Sequence, residues 1–367
     1  MRIERIELLH VAIPLVSPFR TSFGTMTTKD TFLLRVVTDA AEGWSEFAAD
    51  PEPLYCSEFV GGAELVLEHH LVPRVTPGIT AAEVAPRTEA IKGHKLAKAA
   101  LETAILDAEL RSFGMPLGTF LGATATKVPA GVSVGIKNSI PELISDVEGY
   151  LAEGYARIKL KIEPGWDVEP VRAVRERFGD VLLQVDANTA YALADAEHLR
   201  RLDEFGLLLM EQPLDEDDIR GHSLLAQRIR TPICLDESIT SARDAATAIA
   251  LDACRVINVK PARVGGYLEA RRIHDVAVAH GIPVWCGGML ETGIGRGPNL
   301  ALAALPGFVL PGDVSASRRY FAADLTEPFE LQDGHMHVPA GPGIGVEPIP
   351  ETVKRFTTAT KVLYPRD

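Results

Sequence analysis

Five short apolar runs in the middle of the chain each end in a charged residue, and these ends recur every 24 or 25 positions. The gaps between the runs have the length and the mixed polar and apolar composition of helices, as at residues 170–178 and 194–205. Strands that alternate with helices are typical of βαβ units, which build a parallel sheet. The five predicted strands cover residues 158–161, 182–186, 207–211, 232–236 and 256–260.

At least five such units at a constant period favour a closed barrel over an open sheet. An open doubly wound sheet would more often show a glycine-rich first turn, and none follows the early strands. In barrels of this kind the carboxyl ends of the strands carry the chemistry. One acid at a strand end is an ordinary way to begin a loop, but three acids between two lysines indicate a site. The residues at these ends are Lys161, Asp186, Glu211, Asp236 and Lys260.

The sequence predicts an α/β fold, in which a TIM-like (β/α)7β barrel follows an N-terminal α+β capping domain. The capping domain combines antiparallel strands with a helical region, and its best-defined helix covers residues 97–111. The predicted strands of the capping domain are 2–10, 32–38 and 43–48, the helical region is 58–113, and the remaining barrel strands are 128–135, 283–286 and one near 308–310.

Three segments organise the chain along its length. The capping domain is assigned to residues 1–125, the barrel to residues 126–324, and a C-terminal segment to residues 325–367. The first boundary falls in a Gly/Ala/Thr stretch that has no hydrophobic periodicity. The C-terminal segment is rich in proline and is predicted to pack back on the capping domain rather than to fold alone.

Residues 14–24 are predicted to form a loop that is too long for a hairpin turn, and loops of this length are often functional. Phe19 and Phe23 on this loop are either core contacts or part of a lid over a ligand. We assign the loop as a candidate substrate lid and the two aromatic residues as candidate substrate contacts.

The charge and composition of the chain exclude several classes of partner. A formal net charge of −13 argues against nucleic acid and anionic membranes. No apolar run approaches the length of a membrane span, and the N-terminus alternates like a strand rather than a signal peptide. We therefore predict a cytoplasmic protein. The four cysteines form no CxxC pair and are predicted to be buried free thiols: Cys56, Cys234, Cys254 and Cys286.

The three acids at the strand ends form a candidate metal site. Asp186, Glu211 and Asp236 would present hard oxygen ligands from neighbouring strands, which suits Mg²⁺ or Mn²⁺. No histidine or cysteine joins them, which disfavours zinc.

The lysines beside these acids have two interpretations. Lys159 and Lys161 are two positions apart, so both side chains point to the same face of their strand. The first interpretation is simple ion pairing with the acids. The second is base catalysis, although a free lysine with a pKa of about 10.4 is a poor base at neutral pH. A divalent cation and a second ammonium group should lower that pKa, and lysine with Mg²⁺ is a known arrangement for taking a proton α to a carboxylate.

Together these residues resemble the enolase superfamily, specifically its muconate-lactonizing subgroup. Lysine at position 260, where another subgroup has a histidine, is unlike the mandelate-racemase pattern. The resemblance covers nearly the whole chain and includes the capping segment 99–122. It rests on Lys159-Leu160-Lys161, Asp186-Ala187-Asn188, Glu211-Gln212-Pro213, Asp236-Glu237-Ser238 and Lys260-Pro261.

Within this subgroup the chain is most similar to the o-succinylbenzoate synthase/N-succinylamino acid racemase family, whose racemases are also called N-acylamino acid racemases. Dipeptide epimerases are similar too, but they carry an Asp-x-Asp pair after the eighth strand, where this chain has Asp313-Val314-Ser315. The segments that support the closer family are residues 18–24, 131–135, 158–161 and 285–293.

The resemblance implies a role for each site residue. The three acids would bind a divalent metal, Mg²⁺ with Mn²⁺ or Co²⁺ as alternatives. Lys161 and Lys260 would be the catalytic pair, facing opposite sides of the substrate α-carbon. The residues implied to line the substrate are Ser133, Lys159, Asn188, Gly288, Met289, Phe19 and Phe23, and Glu237 and Arg263 would support the metal and Lys260.

The implied activity is abstraction of the proton α to a carboxylate by a lysine. It would racemise N-acylamino acids, with hydrophobic side chains in particular, or dehydrate a substrate to o-succinylbenzoate, or do both. Such an enzyme would act on a small-molecule carboxylate in amino acid metabolism or menaquinone biosynthesis, as a homo-oligomer, either a dimer or an octamer.

Three alternatives stay open from the residues. Within the superfamily the alternative is a dipeptide epimerase or a cycloisomerase. From another enzyme class it is a Schiff-base aldolase barrel that binds phosphate near Gly265-Gly266 or Gly293-x-Gly295-x-Gly297. From outside enzymes it is a barrel that only binds ligands.

Overall fold

The structure is a computed structural model that describes residues 1–75 and 78–365. Its N-terminal part is a four-stranded antiparallel sheet in the order β13-β1-β2-β3, where β13 comes from the C-terminal end of the chain. The buried side chains of the first two strands are mainly Ile, Leu, Val and Phe, which suit a pleated sheet with one covered face. The first three strands are β1 (Ile3–Arg20), β2 (Thr25–Thr38) and β3 (Glu42–Glu46).

Residues 14–24 do not form the long loop predicted from the sequence. β1 continues to Arg20 and β2 begins at Thr25, so only four residues connect the two strands. The pairing of β1 with β2 is irregular between Pro14 and Phe19, where β1 has more residues than its partner. Pro14 and Pro18 lie at this irregularity, where a strand tolerates proline. The candidate lid is therefore a β-hairpin with a short tip.

Helices follow the three strands and cover one face of the sheet. The longest helix packs on β3, where a Cβ added at Gly43 would lie 2.0 Å from the carbonyl oxygen of Ala104. Only glycine allows this close approach of strand and helix. The predicted helical region, residues 58–113, is divided into α1 (Val60–Val66), a π-helical turn (Leu67–Leu71), α2 (Val72–Val75), α3 (Ala81–Thr88) and α4 (Lys95–Ser112), and α5 (Leu117–Leu121) follows.

The predicted strand at residues 128–135 is divided into two. β4 (Lys127–Pro129) pairs with β12 (His335–His337), outside the barrel, and only β5 (Gly131–Val134) belongs to it. Seven parallel strands in the order β11-β10-β9-β8-β7-β6-β5 form the barrel sheet. The other six are β6 (Arg157–Lys161), β7 (Leu183–Asp186), β8 (Met210–Glu211), β9 (Ile233–Leu235), β10 (Val256–Val259) and β11 (Val284–Cys286).

Helices connect these strands, as the sequence period predicts. The helix predicted at residues 194–205 is instead a series of short turns that ends in a 3₁₀ helix at Arg200–Phe205. Leu199, Leu202 and Phe205 are buried at a spacing of three, which matches the 3₁₀ period. The connecting helices are α6 (Ile140–Glu153), α7 (Val168–Phe178), α8 (Ala196–Leu199), α9 (Ile219–Ala226), α10 (Ala242–Ala250), α11 (Pro261–Val264), α12 (Tyr267–Ala279) and α13 (Gly293–Ala303), with short 3₁₀ turns at Leu193–Asp195 and Ser317–Arg319.

The predicted eighth strand near residues 308–310 is not a regular strand. Isolated bridges join Phe308 to Val284 on β11 and Gly312 to Ala130 beside β5. The Gly131 N–H donates to the Gly312 carbonyl at 2.7 Å, so this segment connects the two edges of the seven-stranded sheet. Pro311 lies inside the segment and cannot donate to a regular ladder. The α/β barrel with an N-terminal capping domain is confirmed, with an irregular eighth position.

The C-terminal segment contacts both parts of the chain. β13 (Thr357–Tyr364) pairs with β1 in the capping sheet, and β12 pairs with β4. The Ile344 N–H donates to Asp107 in α4 at 2.7 Å, and α14 (Pro350–Phe356) precedes β13. The division at residues 125 and 325 stays a prediction, and residues 366–367 lie outside the described residues.

The four cysteines are free thiols. Cys234 and Cys286 are buried in β9 and β11, and Cys254 is buried ahead of β10. Cys56 is only partly buried, because it lies in the irregular segment between β3 and α1. In the part of the chain that is described, no helix is both long and apolar enough to cross a membrane.

Candidate active site

The charged residues at the strand ends converge at one end of the barrel. Lys161 pairs in register with Asp186, and Asp186 pairs in register with Glu211. Asp236 directly follows β9, and Lys260 directly follows β10. The three carboxylates have at most 1% of their surface exposed. Parallel pairing explains why the charged residues converge, because paired strands of similar length place their last residues side by side.

Lys159 lies at the centre of the acids. Its Nζ is 3.0 Å from Glu211 Oε2, 3.2 Å from Asp186 Oδ2 and 2.6 Å from Asp313 Oδ2. Burial lowers the pKa of Lys159, but the charges of Asp313, Glu211 and Asp186 outweigh it and raise the pKa above the usual value. Lys159 is therefore held as a cation beside two of the candidate metal ligands. The indole of Trp285, 4.9 Å from Nζ, adds a cation–π contact.

Lys161 is held by groups of the barrel. Its Nζ donates to Asp186 Oδ2 at 2.6 Å and to Asn188 Oδ1 at 2.5 Å. The Asn188 amide in turn donates to Glu237 Oε1 at 2.8 Å. Burial raises the pKa of Glu237 to about 7. Asn188 and Glu237 thus orient Lys161 by a continuous chain of hydrogen bonds.

Lys260 has partners from both parts of the protein. Its Nζ donates to Asp236 Oδ2 at 2.7 Å and to the Tyr55 hydroxyl at 3.1 Å. Arg263 forms an ion pair with the other oxygen of Asp236 and donates to the Ile239 carbonyl at 3.1 Å. Arg263 and Lys260 therefore do not contact each other directly but bind the same carboxylate, that of Asp236.

The protein alone does not lower the pKa of Lys260. Burial acts to lower it, but the neighbouring Tyr55 and the carboxylates of Glu237 and Glu211 outweigh burial and raise it above the usual value. The lower pKa expected from the sequence would therefore depend on a bound divalent cation. Its charge would neutralise the acids that stabilise the ammonium form of Lys260.

The acids fit a divalent cation by their chemistry. All their ligand atoms are carboxylate oxygens, which Mg²⁺ prefers, and they come from three neighbouring strands. Among the residues that the structure describes, no group of acids, histidines and cysteines is arranged to hold a metal as it stands. Lys159 and Arg263 already supply the positive charge to the three candidate ligands. A bound cation would therefore compete with Lys159 and Arg263 for the carboxylate oxygens.

A cavity of about 350 Å³ lies between the capping domain and the barrel. Phe19, Phe23 and the adjoining hairpin line one side, and both catalytic candidates, Lys161 and Lys260, line the other. Asn188, Gly288 and Met289, which the sequence predicts as substrate contacts, also line it.

Ser133 and Lys159 do not line this cavity. They are paired in register on β5 and β6 and are buried below it. The Ser133 hydroxyl is buried and has no hydrogen-bond partner among the described residues. Their direct contact with substrate stays a prediction.

Two capping-domain residues that sequence reasoning missed hold the loop after β11. Lys29 in β2 is fully buried, and its Nζ donates to the Met289 carbonyl at 2.8 Å. Glu46 in β3 accepts hydrogen bonds from the Thr292 N–H at 2.9 Å and from its hydroxyl at 2.6 Å. The loop that contributes Gly288 to the cavity is thus fixed by the capping sheet. Lys29 precedes the strand predicted at residues 32–38, so the strand pattern gave no signal for it.

Three further missed residues lie at the site itself. Asp313 pairs with Lys159 and, at 2.8 Å, with the buried Arg157. Asn258 donates to Glu211 Oε1 at 2.7 Å from β10. Tyr55 reaches Lys260 from a segment without regular structure, so no periodic pattern marked it.

Comparison with known proteins identifies the family of this chain. The family model for the mandelate racemase/muconate lactonizing enzyme N-terminal domain matches residues 3–122, and the enolase C-terminal domain-like model matches residues 142–352. The chain is 62% identical to an N-succinylamino acid racemase from Amycolatopsis sp over 362 residues, which are 98% of each chain.

Two further relatives cover the chain equally well. An o-succinylbenzoate synthase from Geobacillus kaustophilus is 46% identical over 99% of this chain and 98% of its own. The crystal structure of an enolase superfamily member from Listeria innocua superposes with a TM-score of 0.93 at 38% identity, covering 98% of each chain. The chain therefore belongs to the enolase superfamily and, within it, to the family of N-succinylamino acid racemases and o-succinylbenzoate synthases.

Proposed function

We propose that this protein removes the proton α to the carboxylate of an N-acylated amino acid and returns it to either face, which racemises the substrate. We propose o-succinylbenzoate synthase activity alongside, because both reactions begin with the same proton abstraction. The observation that carries the proposal is that Lys161 and Lys260 both line one cavity at the mouth of the barrel. Racemisation needs a proton donor on each face of the α-carbon, and two lysines meet that need.

The two lysines perform the proton transfers. A neutral lysine Nζ accepts the α-proton from one face, and the ammonium group of the other lysine donates a proton to the opposite face. Asn188 holds the Lys161 Nζ at 2.5 Å, and Asp236 holds the Lys260 Nζ at 2.7 Å. Fixed orientation of both nitrogens reduces the entropy lost on reaching the reactive geometry.

The acids Asp186, Glu211 and Asp236 would hold a divalent cation, Mg²⁺ with Mn²⁺ or Co²⁺ as alternatives. When bound, such an ion supplies the positive charge that stabilises a substrate carboxylate whose α-proton is leaving. The Asn258 side chain donates to Glu211 Oε1, and the backbone N–H of Asn188 donates to Asp186 Oδ1 at 3.1 Å. These amides orient the ligands as outer-shell groups do in metal sites.

The cavity lining supports a substrate with a hydrophobic portion. Phe19, Phe23, Met26 and Leu54 contribute apolar surface on the capping side. Apolar lining of this kind suits the side chain and the acyl group of an N-acylamino acid. N-succinyl-Phe and N-acetyl-Met are therefore the first substrates to test.

A dipeptide epimerase is the second candidate, and the surroundings of Asp313 disfavour it. Its carboxylate is bound to Lys159 and Arg157 and is buried, so it is not free to bind the amino group of a dipeptide. Position 315 is serine rather than a second acid.

Borohydride in the presence of a carbonyl substrate tests the alternative of a Schiff-base aldolase, because such an enzyme would be trapped as a lysine adduct.

Polarimetry on N-succinyl-Phe and N-acetyl-Met, beside a panel of dipeptides, tests the proposed substrate class. We expect loss of optical rotation with the N-acylamino acids and little change with the dipeptides. Formation of o-succinylbenzoate is measured in parallel by absorbance. Fast epimerisation of dipeptides without turnover of N-acylamino acids would contradict the assignment.

Arg263→Gln should lower racemisation more than dehydration. The guanidinium holds Asp236, which in turn holds Lys260, and racemisation needs proton transfer by both lysines, whereas dehydration needs only one base. The ratio of the two kcat/KM values, measured on the same preparation, gives the result. Equal losses in both reactions would remove the proposed role of Arg263.

The cellular setting belongs to the same proposal. We propose a cytoplasmic homo-oligomer, either a dimer or an octamer, that serves amino acid metabolism or menaquinone biosynthesis. Light scattering coupled to size-exclusion chromatography would give the number of chains. Neighbouring genes for menaquinone synthesis or for an N-acylamino acid hydrolase would distinguish the two pathways.

A further inference from the structure

Tyr55 connects the capping domain to one of the two catalytic lysines. It lies in residues 47–59, between β3 and α1, and its side chain lines the cavity. Its hydroxyl accepts a hydrogen bond from Lys260 Nζ at 3.1 Å, and its ring centroid lies 4.6 Å from the same nitrogen. One side chain therefore contacts the ammonium group through both its hydroxyl and its aromatic face.

The Tyr55 hydroxyl is itself held in a single orientation. Besides the bond from Lys260, it accepts a hydrogen bond from Arg263 Nη1 at 3.3 Å. It donates to Asp236 Oδ2 at 3.3 Å. A phenol has one proton to donate and two lone pairs to accept with, so these three contacts use its full capacity. The hydroxyl is a fixed point against which Lys260 is oriented.

Lys161, by contrast, is oriented from the barrel. The two groups that bind its Nζ, Asp186 and Asn188, are the last residue of β7 and a residue just after it. The two lysines thus differ in where their orientation comes from. That of Lys161 follows from the sheet, whereas that of Lys260 also depends on the position of the capping segment that carries Tyr55.

We propose that Tyr55 is a positioning residue for Lys260, which couples the capping domain to proton transfer on one face of the substrate only. The inference rests on the proposed function, because it assigns an asymmetry to the same two lysines. Proton transfer depends steeply on geometry, and a misplacement of about 1 Å costs on the order of a hundredfold in rate. Loss of the hydroxyl should therefore slow transfer by Lys260 and spare transfer by Lys161.

The test is exchange of the α-proton in D₂O, measured separately from each enantiomer of one N-acylamino acid by NMR. Lys260→Ala first identifies the enantiomer whose proton Lys260 removes. Tyr55→Phe keeps the ring but removes the hydroxyl, and we expect about a tenfold or larger loss of exchange from that enantiomer. Exchange from the other enantiomer should stay within about twofold, since Lys161 keeps its partners.

Tyr267→Phe is the matched control. Its hydroxyl is also buried and donates one hydrogen bond, to Asn299 at 2.7 Å, between α12 and α13. This variant should leave the ratio of the two exchange rates unchanged. If Tyr55→Phe slows both enantiomers equally, Tyr55 only binds substrate and the proposal is overturned. Unchanged exchange from both enantiomers overturns it as well.

A measurement without turnover separates this inference from the proposed function. The metal-loaded protein is treated with formaldehyde and a borohydride reductant, and methylation of each lysine is read by peptide mass spectrometry. In Tyr55→Phe, modification of Lys260 should rise relative to Lys161, because one of its hydrogen bonds is lost. If the wild-type protein exchanges no α-proton, the proposed function fails. The ratio of Lys260 to Lys161 methylation then tests the role of Tyr55 by itself. An unchanged ratio in Tyr55→Phe overturns that role.

Discussion

Replacing either lysine of the proposed catalytic pair, Lys161 or Lys260, with alanine should stop racemisation, with a loss of about 10²–10⁴-fold in kcat, the usual contribution of a positioned acid or base. The proposal assigns each lysine to one face of the α-carbon, so neither should replace the other. Circular dichroism or polarimetry on an N-acylamino acid measures the loss. In D₂O, Lys161→Ala and Lys260→Ala should each retain exchange from, at most, one enantiomer.

Lys260→Arg gives a sharper version of the same prediction. Arginine keeps the positive charge beside Asp236, but it does not lose its proton in proteins and cannot act as the base. Racemisation should therefore be lost as fully as in the alanine variant. Lys354→Ala, on the exposed face of α14, is the control and should keep wild-type activity. Racemisation by a lysine variant at the wild-type rate would refute the two-base assignment.

Removal of divalent metal should abolish activity, and Mg²⁺ or Mn²⁺ should restore it. Without the ion, the transition state would lack its main electrostatic stabilisation. Dialysis against a chelator, with metal analysis of the product, tests this dependence. Full activity after verified metal removal would show that the acids serve another purpose.

Glu211→Gln should weaken metal binding and leave the fold intact. The amide keeps the shape of the side chain but removes one ligand charge. Outer-shell changes already cost about 10–100-fold in metal affinity, so losing a ligand should cost at least as much. Titration calorimetry with Mn²⁺ measures the affinity, and circular dichroism checks the fold. Glu176→Gln, on the exposed surface of α7, should bind Mn²⁺ as the wild type does.

The barrel and its strand-end residues were predictable because they follow from local periodicity. A strand of about five residues and a helix return the chain to the same edge of the sheet, so one charged residue per unit marks one end of the barrel. The convergence of Asp186, Glu211 and Asp236 needed no knowledge of side-chain contacts. Their metal-binding role is a chemical hypothesis that this convergence supports.

Elements with weak or mixed patterns were predicted less well. Residues 14–24 were predicted to form a loop, although pairing across the capping sheet extends β1 to Arg20. Pro311 interrupts the eighth position of the barrel, where isolated bridges replace a strand. The strand predicted at residues 128–135 is divided, because β4 pairs with a strand more than 200 positions later in the chain.

The sequence by itself determined the order of strands and helices, the residues at the barrel mouth and the family to which the chain belongs. Local periodicity and short motifs carry that information. Only the tertiary structure decided that Lys159 pairs with Asp313, that Lys29 holds Met289 and that Tyr55 reaches Lys260. These contacts join residues 154 to 260 positions apart. No local pattern encodes such pairs, because closure of the barrel brings Asp313 to Lys159 and the packing of the capping domain on the barrel creates the other two contacts.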